Sequence, residues 1–204
     1  MRLAFLASNS GSSMRAIIAA IESGQLDAVP VLAVSNRRDA PALAFAHAHG
    51  VPTVCIPTLK DPQSADVRLS EALATAAADV VVLSGYLRKL GPRTLQAYAG
   101  RILNIHPALL PAFGGEGMYG RRVHEAVVAA KVAVSGATVH LVDEEYDHGP
   151  IVAQVEVPVW PGDGPDLVES RVMAAEPALF VRTLQQIALG VVELPALRRS
   201  ARIE

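Results

Sequence analysis

Arg101 to Pro111, RILNIHPALLP, decides how the rest of the chain is read. Ile102, Leu103 and Ile105 form a short apolar run that predicts a buried strand over 101–105, with Asn104 and His106 set two residues apart at its end. Side chains on a strand repeat with period 2, so the amide and the imidazole project to the same side. Pro107 has no N–H to give to a ladder, so pairing is expected to stop there. An amide donor beside a titratable imidazole at a strand end suits the stabilisation of an oxyanion and the movement of a proton. The plainer alternative is a capped strand end whose Asn and His only satisfy loop backbone groups. A glycine-rich loop, AFGGEGMYG, follows at 112–120.

Upstream, short apolar runs alternate with helical patterns. Strands are predicted at 2–7, 29–35, 53–56 and 79–84. Helices are predicted through Met14, Ile17, Ile18 and Ile21, over 40–49 with Gly50 as the closing glycine, over 64–78 with a Ser64 cap, and briefly after Gly91-Pro92. This alternation predicts βαβ units and a parallel, Rossmann-like sheet. Downstream, a helix is expected over 123–130, strands over 135–142 and 150–159, and a long helix over 166–189 that Pro177 should kink or break. Two strands joined by the acidic turn DEEYDHG suggest an antiparallel hairpin. The tail, LRRSARIE, looks solvated. The expected class is therefore α/β: a parallel sheet, a hairpin and a C-terminal helix in one domain of 204 residues.

In such sheets ligands bind at the carboxyl ends of the strands. Three polar features fall there: the SNSGSS turn at 8–13, the GYLRKLGP bend at 85–92, and Asn104 with His106. A strand, a small-residue turn and a helix N-terminus form an anion site, because free N–H groups and the helix dipole point outward together. An ordinary serine cap is the equal alternative. Neither a Walker loop nor GxGxxG is present, so a nucleoside triphosphate or dinucleotide is not indicated.

A net charge of −2 with no polybasic run disfavours nucleic acid and acidic membranes as partners. Cys55 is the single cysteine, which excludes an internal disulfide; between Val54 and Ile56 it reads as an inert buried thiol. The apolar run of MRLAFLA is too short for a signal-peptide core or a membrane span, so a cytoplasmic protein is expected. His47 and His49 read as solvated. His106, His124, His140 and His148 are not at zinc spacing, and no metal is expected. His124 and His148 read as surface groups. His140 either orients the acidic turn or is a satisfied structural histidine.

NIHPALLP, a glycine loop and then TVHLVDEEYDHGPIVAQ together resemble the folate-dependent formyltransferase family over nearly the whole chain. The resemblance implies transfer of a formyl group from 10-formyltetrahydrofolate to the primary amine of glycinamide ribonucleotide, a step of purine biosynthesis. Small-molecule substrates are thus the partners implied, and a homodimer is compatible with the resemblance. By this resemblance Asn104, His106 and Asp147 are catalytic. Gly11, Ser12 and Ser13 hold the nucleotide phosphate, and Glu176 holds its ribose. Leu87, Arg88, Leu90, Val142, Asp143 and Asn104 line the folate side. The nucleotide half is expected in 1–100 and the catalytic and folate half in 101–204. Three departures stand out: Ser13 where many relatives carry Asn, Glu116 where near relatives carry Lys, and Pro177 where a His usually follows the glutamate. Two other functions use the same fold: a hydrolase giving the formyl group to water, expected to carry an extra N-terminal regulatory domain, and a non-catalytic phosphate- or nucleotide-binding module. A tRNA formyltransferase would need a further C-terminal domain and a basic surface.

Overall fold

The computed structural model describes residues 1–195; the expectation for the tail, 197–204, lies outside them. Its strands are β1 (Arg2–Leu6), β2 (Val29–Ser35), β3 (Thr53–Cys55), β4 (Val80–Leu83), β5 (Ile102–His106), β6 (Val134–Leu141) and β7 (Ile151–Pro158). Its helices are α1 (Ser12–Glu22), α2 (Pro41–Ala48), α3 (Pro62–Thr75), α4 (Pro92–Ala97), α5 (Arg121–Ala129) and α6 (Pro165–Leu189). They build one seven-stranded sheet in the order β3-β2-β1-β4-β5-β6-β7. β1 to β5 run parallel, and β6 and β7 turn back antiparallel, as the hairpin pattern predicted.

The central strands bury both faces. Leu3, Phe5, Val80 and Val82 face the layer of α1, α2, α5 and α6, while Ala4, Leu6, Val81 and Leu83 face α3 and α4. This two-sided burial explains why these strands read as continuous apolar runs. The chain reverses its winding between β1 and β4, which opens a crevice at their carboxyl ends. Hydrogen bonds tie the two loops across it: Ser8 N–H donates to the Gly85 carbonyl at 3.1 Å, Leu87 N–H to Ser8 Oγ at 2.8 Å, and Met14 N–H to Ser84 Oγ at 2.9 Å.

Four local expectations are corrected. α3 is capped by Asp61, which accepts from Ser64 N–H at 3.0 Å, rather than by Ser64, because Pro62 takes the first helical position where no N–H is needed. α5 starts at Arg121, before Val123. α6 runs unbroken through Pro177. The carbonyl that loses its partner there belongs to Met173, which lies on the exposed side, while Leu179 and Phe180 anchor the next turn in the core. Cys55 is half-buried rather than buried, because β3 is a three-residue edge strand with only β2 beside it. No described helix is long and apolar enough to cross a membrane.

Candidate active site

β5 carries Asn104 and His106 to the carboxyl edge of the sheet, and β6 answers in register with His140 opposite Asn104 and Thr138 opposite His106. Thr138 is fully buried and anchors the chain after the strand. Its hydroxyl donates to the Ala108 carbonyl at 2.7 Å and accepts from Leu110 N–H at 3.0 Å and Gln154 Nε2 at 2.9 Å. The loop after the polar pair is therefore held by side chains from β6 and β7.

His140 settles the orientation of Asn104. Its Nδ1 lies 2.8 Å from the Leu141 carbonyl and must donate, so its Nε2 accepts from Asn104 Nδ2 at 3.1 Å. Burial pushes the His140 imidazole down, against the pull of nearby Asp147, which fits this neutral tautomer. Asn104 then has one amide hydrogen committed and the other free for an oxygen in the cleft. Both nitrogens of His140 are partnered, and the ring holds Asn104 more closely than the acidic turn, which it approaches at Asp147 Oδ1 only to 3.6 Å.

Asp147 arrives from the turn between β6 and β7. It takes a left-handed backbone with φ 55°, a conformation that aspartate tolerates better than most residues but that still costs roughly 1 kcal/mol. Two residues on, a Cβ at Gly149 would stand 2.0 Å from the Leu141 carbonyl, so only glycine lets this turn pack on the end of β6. The result places Asp147 Oδ2 3.3 Å from His106 Nδ1 and Oδ1 3.6 Å from His140 Nε2. The 112–120 loop also reaches in: His106 Nε2 donates to the Phe113 carbonyl at 2.8 Å, and Gly115 N–H donates to Asp147 Oδ2 at 3.1 Å.

Beside these residues lies a cleft lined by Leu83, Tyr86, Arg88, Lys89, Leu90, Asn104 and His140 and closed by Val142 to Asp147. Arg88, Leu90, Val142, Asp143 and Asn104 of the expected folate side are among its walls. Leu87 is not; it is 56% exposed and contributes a backbone N–H to Ser8 instead. Tyr86 and Lys89 line the cleft without having been singled out. Burial pushes the Tyr86 phenol up to about 12, so it stays a neutral donor.

At the other end of the crevice, Gly11 precedes α1 in a left-handed conformation, φ 65°, and no side chain caps the helix, so the serine-cap alternative does not hold. Ser84 takes Met14 N–H, which leaves Ser12 and Ser13 N–H as first-turn donors with no acceptor among the described residues. Ser12 is exposed, whereas Ser13 is 2% exposed and can offer only its backbone. Glu176 sits on α6 with its carboxyl pushed up to about 7, by burial first and by Glu169 second. His124 is corrected outright: it is buried on α5, its Nδ1 has no partner among the described residues, and burial pushes the ring down. His148 is solvated as expected, beside Asp143 at 3.0 Å. Among the described residues no group of three or more His, Cys, Asp or Glu is placed to hold a metal ion.

A free amide hydrogen, an imidazole and a carboxylate gathered at strand ends beside a cleft are the kinds of group that can hold a developing oxyanion and move a proton. The chain belongs to the formyl transferase family, whose model matches residues 1–184. It is 40% identical over 189 residues to the chloroplastic phosphoribosylglycinamide formyltransferase of Arabidopsis thaliana, covering 91% of this chain and 65% of that protein. The chain thus spans just under two thirds of the length of that relative. It is 35% identical over 192 residues to the phosphoribosylglycinamide formyltransferase of Escherichia coli (strain K12), covering 93% of this chain and 88% of the other. The crystal structure of glycinamide ribonucleotide transformylase 1 from Symbiobacterium toebii superposes with a TM-score of 0.86 at 32% identity, over 97% of this chain and 92% of that one.

Proposed function

We propose that this protein transfers the formyl group of 10-formyltetrahydrofolate to the primary amine of glycinamide ribonucleotide, giving formylglycinamide ribonucleotide and tetrahydrofolate. The observation that carries the reading is the convergence of Asn104, His106 and Asp147 on the rim of the cleft. The neutral amine attacks the formyl carbon, and the carbonyl oxygen gains negative charge. The free Asn104 hydrogen stabilises that oxygen, with His106 and Asp147 beside it to move the proton. Asp147 accepts the proton the amine sheds, and the departing folate nitrogen takes one up as the tetrahedral adduct collapses.

The folate ring occupies the cleft between Leu90 and the Val142–Asp147 turn, where Leu83, Leu90 and Val142 stand beside polar residues such as Arg88, Asn104 and Asp143. The nucleotide lies at the other end, with its phosphate on Gly11, Ser12 and Ser13. Glu176, whose carboxyl on α6 is pushed up to about 7 chiefly by burial, is the ribose ligand in this reading.

The test is a single assay of purified protein with 10-formyl folate, with and without glycinamide ribonucleotide. Release of deformylated folate that depends on the amine supports the transferase. Release of formate without the amine replaces it with the hydrolase, and binding without turnover replaces it with the binding module.

A further inference from the structure

The 112–120 loop touches both the catalytic imidazole and the catalytic carboxylate through its backbone. The Phe113 carbonyl accepts from His106 Nε2 at 2.8 Å, and Gly115 N–H donates to Asp147 Oδ2 at 3.1 Å. Between them, Gly114 passes so close that a Cβ there would stand 2.4 Å from Leu110 Cδ2 and 3.2 Å from Asp147 Cβ. Leu110 is itself buried, with its N–H on Thr138, so it has little room to yield. Phe113 holds a left-handed backbone, φ 57°, which a non-glycine residue adopts only when its surroundings impose it.

We infer that Phe113–Gly115 is a backbone strap that orients His106 and Asp147 for formyl transfer, with Gly114 as the positioning residue that lets it approach. The inference rests on the reading that these two side chains carry the reaction. A carbonyl on Nε2 requires a proton there, which commits that nitrogen and turns the Nδ1 edge toward Asp147. Gly115 N–H and His106 Nδ1 both address Asp147 Oδ2, and this leaves Oδ1 as the oxygen that receives the amine's proton. The loop is then part of the catalytic apparatus and not only a cover over it. Backbone groups supply both contacts, so the dependence falls on the one residue whose lack of a side chain permits them.

The strap is tested with Gly114→Ala, whose φ does not itself forbid a side chain. Steady-state kinetics are expected to show kcat reduced by roughly tenfold to a hundredfold, with KM for both substrates within about threefold of the parent. Two-bond ¹H–¹⁵N spectra of the histidines are expected to show His106 as the Nε2-protonated form in the parent and as a mixture of ring forms in Gly114→Ala. In the unaltered protein, Gly115 N–H is expected to exchange with solvent at least about tenfold more slowly than Gly117 N–H, which has no acceptor among the described residues. Unchanged kcat with an unchanged His106 spectrum, or equal exchange at Gly115 and Gly117, overturns the strap. The spectral and exchange measurements need no turnover, so they decide the strap even where the unaltered protein fails the formyl-transfer assay.

Discussion

His106 and Asp147 face each other at 3.3 Å, Nδ1 to Oδ2, with the ring 3% and the carboxylate 11% exposed. The Phe113 carbonyl accepts from Nε2, so the Nδ1 edge of the ring is the one turned to Asp147.

Asp147→Asn keeps the shape and the acceptor for Gly115 N–H but removes the charge. It is expected to lower kcat by about 100-fold to 10,000-fold, with little change in KM, as removal of a general base does. Steady-state kinetics on both substrates check this; a KM effect with kcat preserved would assign Asp147 to binding.

Gly149→Ala drives a Cβ into the Leu141 carbonyl, which lies 2.0 Å from the position that Cβ would take. Overpacking of this kind costs about 1–3 kcal/mol, and here it also displaces the turn that presents Asp147. Thermal denaturation and kcat are both expected to fall, whereas Gly164→Ala, where a Cβ meets nothing within 4 Å, is expected to change neither.

Glu176 gives a pH signature. Its carboxyl rises from 4.5 to about 7 on folding, so the native state holds the proton more tightly than the unfolded chain. The associated stability is complete below 4.5 and is lost as pH rises through about 7. Glu176→Gln is expected to match the parent in melting temperature near about pH 4 and to exceed it near about pH 8. Melting curves across that span check the sign; a parent that gains on the variant as pH rises would contradict it.

Much of this arrangement was legible because strands and prolines leave strong marks. The run at 101–106 and Pro107 placed the end of β5, and period 2 put Asn104 and His106 on one face, as the register with His140 and Thr138 bears out. The parallel order and the hairpin followed from the spacing of apolar runs. Asp147 was different: nothing in its own surroundings marks it beyond a turn, and only the resemblance of the whole motif pointed to it. The contacts from Phe113 and Gly115 were illegible because backbone groups have no side-chain signature. His124 was misjudged although a signal existed, since Val123, Val127 and Val128 surround it at helical spacing and turn it inward. At the start of α3 two cap candidates, Asp61 and Ser64, competed, and the prolyl residue at 62 decided between them.

The most direct measurement pairs binding with turnover in His106→Ala. Removing the ring that faces Asp147 is expected to cut kcat by about 100-fold to 10,000-fold. Calorimetric titration should find affinity for glycinamide ribonucleotide and for the folate nearly unchanged, because the phosphate turn and the cleft lining do not include this ring. Binding preserved with turnover lost is the predicted result. Full turnover by His106→Ala would contradict the account.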